Sequence, residues 1–269
     1  MAYKFIGHFF PGPHAGHLYG HSGRFLVDPC VLGHHCTPEF GHFRLVRDVN
    51  FDAYDYVAFS DQDDVWYPDK LRRATEMLKN KGAEGYSSNV RAFWPTGHKC
   101  FVDKAQAQVR WDFLFEAAGP GCTYVLTKRL ACALKKSISR QWRELQRVTF
   151  HDWYCYAFAR SNGHRWYIDP QSSMDYRQHA HNLLGANIGL RRLVERYRRI
   201  QDGWWFGQVH LISRLIGEPS NPLKTTSKLP SPRQLLFLSL NAWHCRRRMR
   251  DKIAFAVACW IAILSIRKG

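Results

Sequence analysis

The run Tyr54 to Ser60 is apolar, aromatic and β-branched, and it stops at the polar string Asp61, Gln62, Asp63, Asp64. That pattern predicts a buried strand ending in an acidic turn. A helix follows, since Pro68 suits a first turn, Leu71, Ala74 and Leu78 recur on one face, and Gly82 is placed to end it. Further strands are predicted near Tyr86 to Phe93 and within the small and apolar run Gly119 to Leu126. The second run feeds a helix capped by Thr127, with Leu130, Ala133 and Leu134 turned inward. Trp153, Tyr156 and Ala157 share a helical face between His151 and Arg160. Asn162 and Gly163 form the stop before a short strand at Trp166 to Ile168. Such alternation predicts an α/β fold, a mainly parallel sheet flanked by helices.

The two ends of the chain read differently. Residues 1–42 hold seven of the 14 histidines and show neither helical nor alternating period, so a poorly ordered segment rich in His, Gly and Pro is expected there. Cys30, His34, His35 and Cys36 lack the ligand spacing of a structural zinc finger. The core is assigned to residues 43–189, and residues 190–269 form a basic helical extension. Leu190, Leu193, Val194 and Tyr197 keep helical period among arginines, and a loop rich in Pro, Ser and Lys runs from Glu218 to Arg233. In the tail, Arg246, Arg247, Arg248, Arg250 and Lys252 precede the apolar run Ile253 to Leu264. That run falls short of the ~20 residues a spanning helix needs. Two readings stand: an interfacial helix whose basic flank faces anionic lipid, or a buried core helix.

Composition narrows the partners. A chain of 269 residues with 45% hydrophobic and 14% aromatic content is not intrinsically disordered. Lys and Arg number 39 against 22 acids, a net charge of +17, which selects anionic partners. Nucleic acid is not expected, because the charge gathers in the C-terminal third and no binding motif accompanies it. The eight cysteines include no CxxC pair, which argues against a disulfide scaffold. Gly7, His8, Pro11 and Pro13 interrupt the first apolar residues, so no secretory signal is read. A cytoplasmic location follows, peripheral to the inner membrane face if the tail is interfacial.

Candidate chemistry centres on the acidic turn. Asp61 and Asp63 alternate at the carboxyl end of a strand, where open α/β sheets bind ligands. Mg²⁺ or Mn²⁺ is held by one or two carboxylates plus ligand phosphates, so this spacing supplies half of a metal site. The bare spacing also suits a solvated turn. The surrounding string Phe59, Ser60, Asp61, Gln62, Asp63, Asp64, Val65, Trp66, Tyr67, Pro68, Asp69, Lys70, Leu71 resembles the signature of family 2 glycosyltransferases, in particular the rhamnosyltransferase-like branch. His151, Asp152 and Trp153 resemble the segment bearing that family's catalytic base. Gly119, Pro120, Gly121, Cys122 and Thr123 resemble its acceptor-side loop. Tyr176, Arg177, Gln178, His179, Asn182 and Gly185 resemble the motif that closes its catalytic domain.

The resemblance implies an A-type glycosyltransferase fold and inverting transfer from a dTDP- or UDP-sugar, rhamnose among the candidates, to a hydroxyl of a polysaccharide or lipid-linked glycan. It makes Asp61 and Asp63 the donor-binding metal ligands with Asp64 in reserve, Asp152 the base, and Gly121, Cys122 and Trp153 acceptor-side residues. Arg177 and His179 would contact the donor diphosphate or the acceptor, or serve structure alone. Trp111, Trp153 and Trp166 are read either as sugar platforms or as core. The family's upstream strands and their acidic pair are not legible in residues 1–42, and the compositional break there reads as a divergent, truncated or frameshifted N-terminus. A remnant that binds no donor is the alternative this leaves open.

Overall fold

The computed structural model describes residues 3–8, 38–61, 63–178, 203–217, 222 and 230–266. They divide into two compact units, one drawn from residues 1–105 and 118–183, the other from 106–117 and 184–269. The boundaries expected from sequence shift accordingly. Residues 106–117 leave the core assigned to 43–189 and join the second unit.

In the first unit β2 (Tyr56–Asp61) is buried over its first five residues, as its apolar run predicts. β1 (Tyr3–His8) lies parallel beside it, Tyr3 opposite Tyr56 and His8 opposite Asp61. This corrects the expectation of no regular element before residue 43. A strand of this kind is held by its main-chain ladder, which Gly7 and His8 furnish like any residue, so side-chain period does not reveal it. Helix α1 (Pro38–Asp48) also crosses the expected boundary at 42.

After β3 (Val65–Trp66), α2 spans Lys70–Lys81 and ends on Gly82, whose φ of 55° is the left-handed cap that glycine favours. Leu71, Ala74 and Leu78 are buried, as predicted. The strand predicted near Tyr86 to Phe93 is two strands, β4 (Gly85–Ser88) and β5 (Val90–Phe93). Asn89 is the pivot between them: its side chain donates to Asp103 and to the Pro170 carbonyl and accepts from the Lys104 amide.

β6 (Lys99–Val102) follows, then β7 (Val125–Thr127), and α4 (Lys128–Arg140) begins with Thr127 accepting from the Leu130 amide. A short helix α5 (Trp142–Leu145) leads to α6 (His151–Ser161), β8 (Trp166–Asp169) and β9 (Met174–Arg177).

One sheet runs β1-β2-β7-β4-β8 and another β3-β9-β5-β6. The larger sheet is mainly parallel, as expected: β1, β2, β4 and β8 run in one direction, and β7 is reversed between β2 and β4, while in the smaller sheet β5 and β9 are parallel. The chain enters β7 from a turn at the carboxyl end of β2, so the strand must run back between its neighbours. Trp166 is core, its ring edge-on to Tyr124 and Tyr156 and its Nε1 donating to Ser87.

Asp169, fully buried, fastens this unit. It accepts two bonds from Arg73, at 2.8 and 2.9 Å, and others from the Tyr86 hydroxyl and the Gln171 amide. The bidentate geometry and complete hydrogen bonding are what make a buried carboxylate tolerable.

In the second unit α3 (Asp112–Phe115) accompanies α7 (Trp204–Ile216), α8 (Pro232–Leu240), α9 (Ala242–Cys245) and α10 (Met249–Ile266). Phe115, Trp205 and Phe255 form one aromatic cluster. Arg247 pairs with Asp112 at 3.1 Å and donates to the Ala117 carbonyl, while Arg246 donates to the Phe115 carbonyl. Both arginines are buried, which corrects their expected place on a lipid-facing flank. They hold residues 106–117 in this unit instead. Trp111 is buried too, its amide donating to the His244 carbonyl. The helix expected around Leu190 to Tyr197 lies outside the described residues.

Asp169→Ala is expected to destabilise the protein by about 3–5 kcal/mol, because Arg73 and Tyr86 lose their shared partner. Urea denaturation of the two proteins reads the difference.

Candidate active site

The strand end, two turns and one helix of the first unit supply the site. Asp61 closes β2 with its side chain 35% exposed, and the buried imidazole of His42 lies 3.5 Å from its carboxylate. Asp64 accepts the Arg177 amide at 3.0 Å, and the Arg177 side chain donates to the Asp63 carbonyl at 2.9 Å. Arg177 thus grips the acidic turn while its guanidinium covers the Phe93 ring at 4.7 Å. His179 lies outside the described residues.

Ligand atoms of Asp61, Asp64 and the buried Cys122 come within 4.8 Å of one another. Asp63, paired with Asp61 on spacing, stands outside that group. The residue that follows the alternation therefore joins Asp61, because Arg177 fixes Asp64 by its amide. Burial and the neighbouring Asp61 charge raise Asp64 to about 7, even though the Arg177 amide stabilises its anion. Two carboxylates in mutual repulsion are a donor set that a hard divalent cation fits, with phosphate oxygens to complete it. Cys122 is a poorer donor to such a cation, since burial holds its thiol well above the usual range.

Lys70 is the residue that pattern reading passed over. It stands at the first turn of α2, yet it is buried, its Nζ donating to the Cys122 carbonyl at 2.7 Å and lying 3.4 Å from the Trp66 ring centroid. Burial lowers it to about 7, against the opposing pull of Cys122, Asp64 and Asp61. A lysine in a first turn reads as a solvated charge, and its only sequence signal was its membership of the acidic string.

Opposite, a one-turn 3₁₀ helix at Gly121–Thr123 presents Gly121 to α6. A Cβ on Gly121 would stand 2.4 Å from His151 Nε2 and 3.2 Å from the Asp152 Cβ, so only glycine fits that approach. His151 has little room to yield, being stacked on His42 with ring centroids 3.8 Å apart. Asp152 lies in the first turn of α6. Its carboxylate accepts the Trp153 amide at 2.7 Å, and its carbonyl accepts the Tyr124 hydroxyl. Burial raises it to about 6, against the Trp153 hydrogen bond and the charges of Lys104 and His42. The site thus joins a carboxylate poised to take a proton near neutral pH to a second acidic cluster suited to a cation. Trp153 is 4% exposed and packs into the core, leaving little ring surface to meet an acceptor.

No protein-family model matches the chain. It is 42% identical over 211 residues to the dTDP-rhamnosyl transferase RfbG of Shigella flexneri, covering 78% of this chain and 72% of that protein. Among solved structures, S. aureus TarS 1-349 in complex with UDP-GlcNAc aligns with 86% of this chain and 70% of its own, at 9% identity and a TM-score of 0.37. Its complex with UDP aligns with 86% and 71% at 10% identity, also with a TM-score of 0.37. Those two likenesses are too slight to assign a fold.

Gly121→Ala is expected to displace His151 and Asp152 and to lower turnover about 100-fold, the scale of a 1 Å misplacement. Steady-state kinetics on the purified variant, with circular dichroism as the control for folding, measure it.

Proposed function

We propose that this chain, which belongs to the rhamnosyltransferase-like glycosyltransferases, transfers rhamnose from dTDP-rhamnose, with inversion, to a hydroxyl of a polysaccharide or lipid-linked glycan on an A-type glycosyltransferase fold. The rhamnosyl transferase relative supports the donor. The observation that carries the chemistry is the desolvated Asp152, held by Tyr124 and Trp153 in the unit that also holds the acidic turn. A single displacement needs one base within reach of the attacking hydroxyl, and a carboxylate raised to about 6 is ionised at neutral pH while keeping proton affinity.

Asp61 and Asp64, with Asp63 beside them, would hold Mg²⁺ or Mn²⁺. When bound, such a cation offsets the negative charge that gathers on a departing diphosphate. Arg177 orders the turn by its amide and its side chain, and the buried Lys70 amine ties it to the Cys122 carbonyl. Gly121 forms the acceptor-side wall by its close approach to His151 and Asp152, with Cys122 next to it in the same turn. Trp153 supports that wall from the core.

Titration calorimetry tests the donor site. The chain is expected to bind dTDP-rhamnose more tightly with Mn²⁺ than without and more tightly than UDP-sugars, and Asp64→Asn to weaken that binding at least about tenfold. Equal binding with and without Mn²⁺ overturns the metal assignment. No binding at all favours a remnant without donor affinity.

Asp152→Asn is expected to retain donor binding and lose about 100-fold or more in dTDP release with a glycan acceptor present. In the parent protein the rate should fall as pH drops below about 6, since protonation removes the base. A pH profile flat from neutrality to well below that value would exclude Asp152 as the base.

A further inference from the structure

We infer that the exposed apolar stripes of α8 and α10 seat this protein on the surface of an anionic lipid bilayer. The inference is independent of the transfer reaction and rests on the second unit alone. Met249, Ile253, Val257, Trp260 and Leu264 are each 49–55% exposed, and their spacing of four, four, three and four residues lines one face of α10. The same helix buries Phe255, Cys259 and Ile263, and α8 is the element it packs against most extensively. Its core is therefore filled by one face, and the opposite face is apolar without a packing reason. On α8, Leu235 and Leu238 are buried while Leu236, Phe237 and Leu240 are exposed, Leu240 by 74%. Trp243, 53% exposed, follows at once. The alternatives of interfacial helix and core helix thus meet in one element, each on its own face.

Charge selects the occupant. Arg233 shares the outward stripe of α8, and Arg248, Arg250 and Lys252 lie in or beside the first turn of α10. Across residues 230–266 the sole acid is Asp251, which pairs with Arg246 and Arg250. A second copy on this face would set the same cations against one another, whereas anionic headgroups complement them. Lys252 Nζ lies 5.7 Å from the Trp243 ring centroid, so a cation and an amphipathic ring stand side by side, as at a headgroup boundary. The 18 residues of α10 include Arg250, Asp251 and Lys252 in the first turn, and no described helix is long and apolar enough to cross a membrane. The helix lies on the bilayer rather than through it.

Sedimentation of the full chain with phosphatidylcholine vesicles, with and without phosphatidylglycerol, tests the seat. Binding is expected only with phosphatidylglycerol and is expected to weaken as salt rises. Ile253→Ser with Trp260→Ser should reduce it at least about tenfold, because both side chains would enter the interface. An unchanged urea midpoint shows that the fold is kept. Arg233→Gln with Arg250→Gln should reduce it about fivefold per residue. Light scattering should show a monomer in solution. Failure to bind either vesicle, undiminished binding by the serine variant, or a dimer that the serine variant dissociates would each overturn the inference, the last by making a second copy the occupant.

Discussion

A single buried lysine joins the parts of the site. Lys70 leaves the first turn of α2, passes under the Trp66 ring and ends on the Cys122 carbonyl. An unpaired ammonium in that place would cost several kcal/mol, so the carbonyl, the ring and the nearby Asp61 and Asp64 charges must be present together. Those carboxylates in turn sit at the end of a buried strand, where their repulsion is partly relieved from below. One contact thereby couples the acidic turn to the turn at Gly121–Thr123, which faces the candidate base.

Steric exclusion does the rest of the positioning. His42 from α1 and His151 from α6 stack beside Asp61, and Gly121 admits His151 by having no side chain. Asp152 follows His151 directly, so its place depends on that stack as well as on its own hydrogen bonds. Segments far apart in the chain, including one that begins at Pro38, thus converge on a single carboxylate.

Two parallel pairs explain how the first unit can bear such a site. β4 and β8 lie in one sheet, β5 and β9 in the other, and the chain passes between the sheets at Asn89 and just after Asp169. Polar side chains satisfied on every side hold both passages, which fixes where β9 ends and hence where Arg177 meets Asp63 and Asp64. The second unit uses charge in another way. Arg246 and Arg247 spend theirs internally on Asp112, Glu116 and main-chain carbonyls, leaving the remaining cations to the surface.

The sequence by itself determined the elements whose stability is local: β2 with its acidic end, α2 with its Gly82 stop, α4 with its Thr127 cap, and α6 with Asp152 in its first turn. Periodicity and capping act over a few residues and so can be read from them. The acidic string and its downstream partners also carried the family. Tertiary structure decided the rest. Main-chain pairing made β1 a strand where side chains showed no period, and the return path of β7 set one reversed strand into a sheet that otherwise runs one way. Distance in space brought Asp64 to Asp61, and it buried Lys70, Arg246 and Arg247, charged residues whose place inside no local pattern gives. Burial and pairing between remote segments set those outcomes, and neither leaves a mark at the residue's own position in the chain.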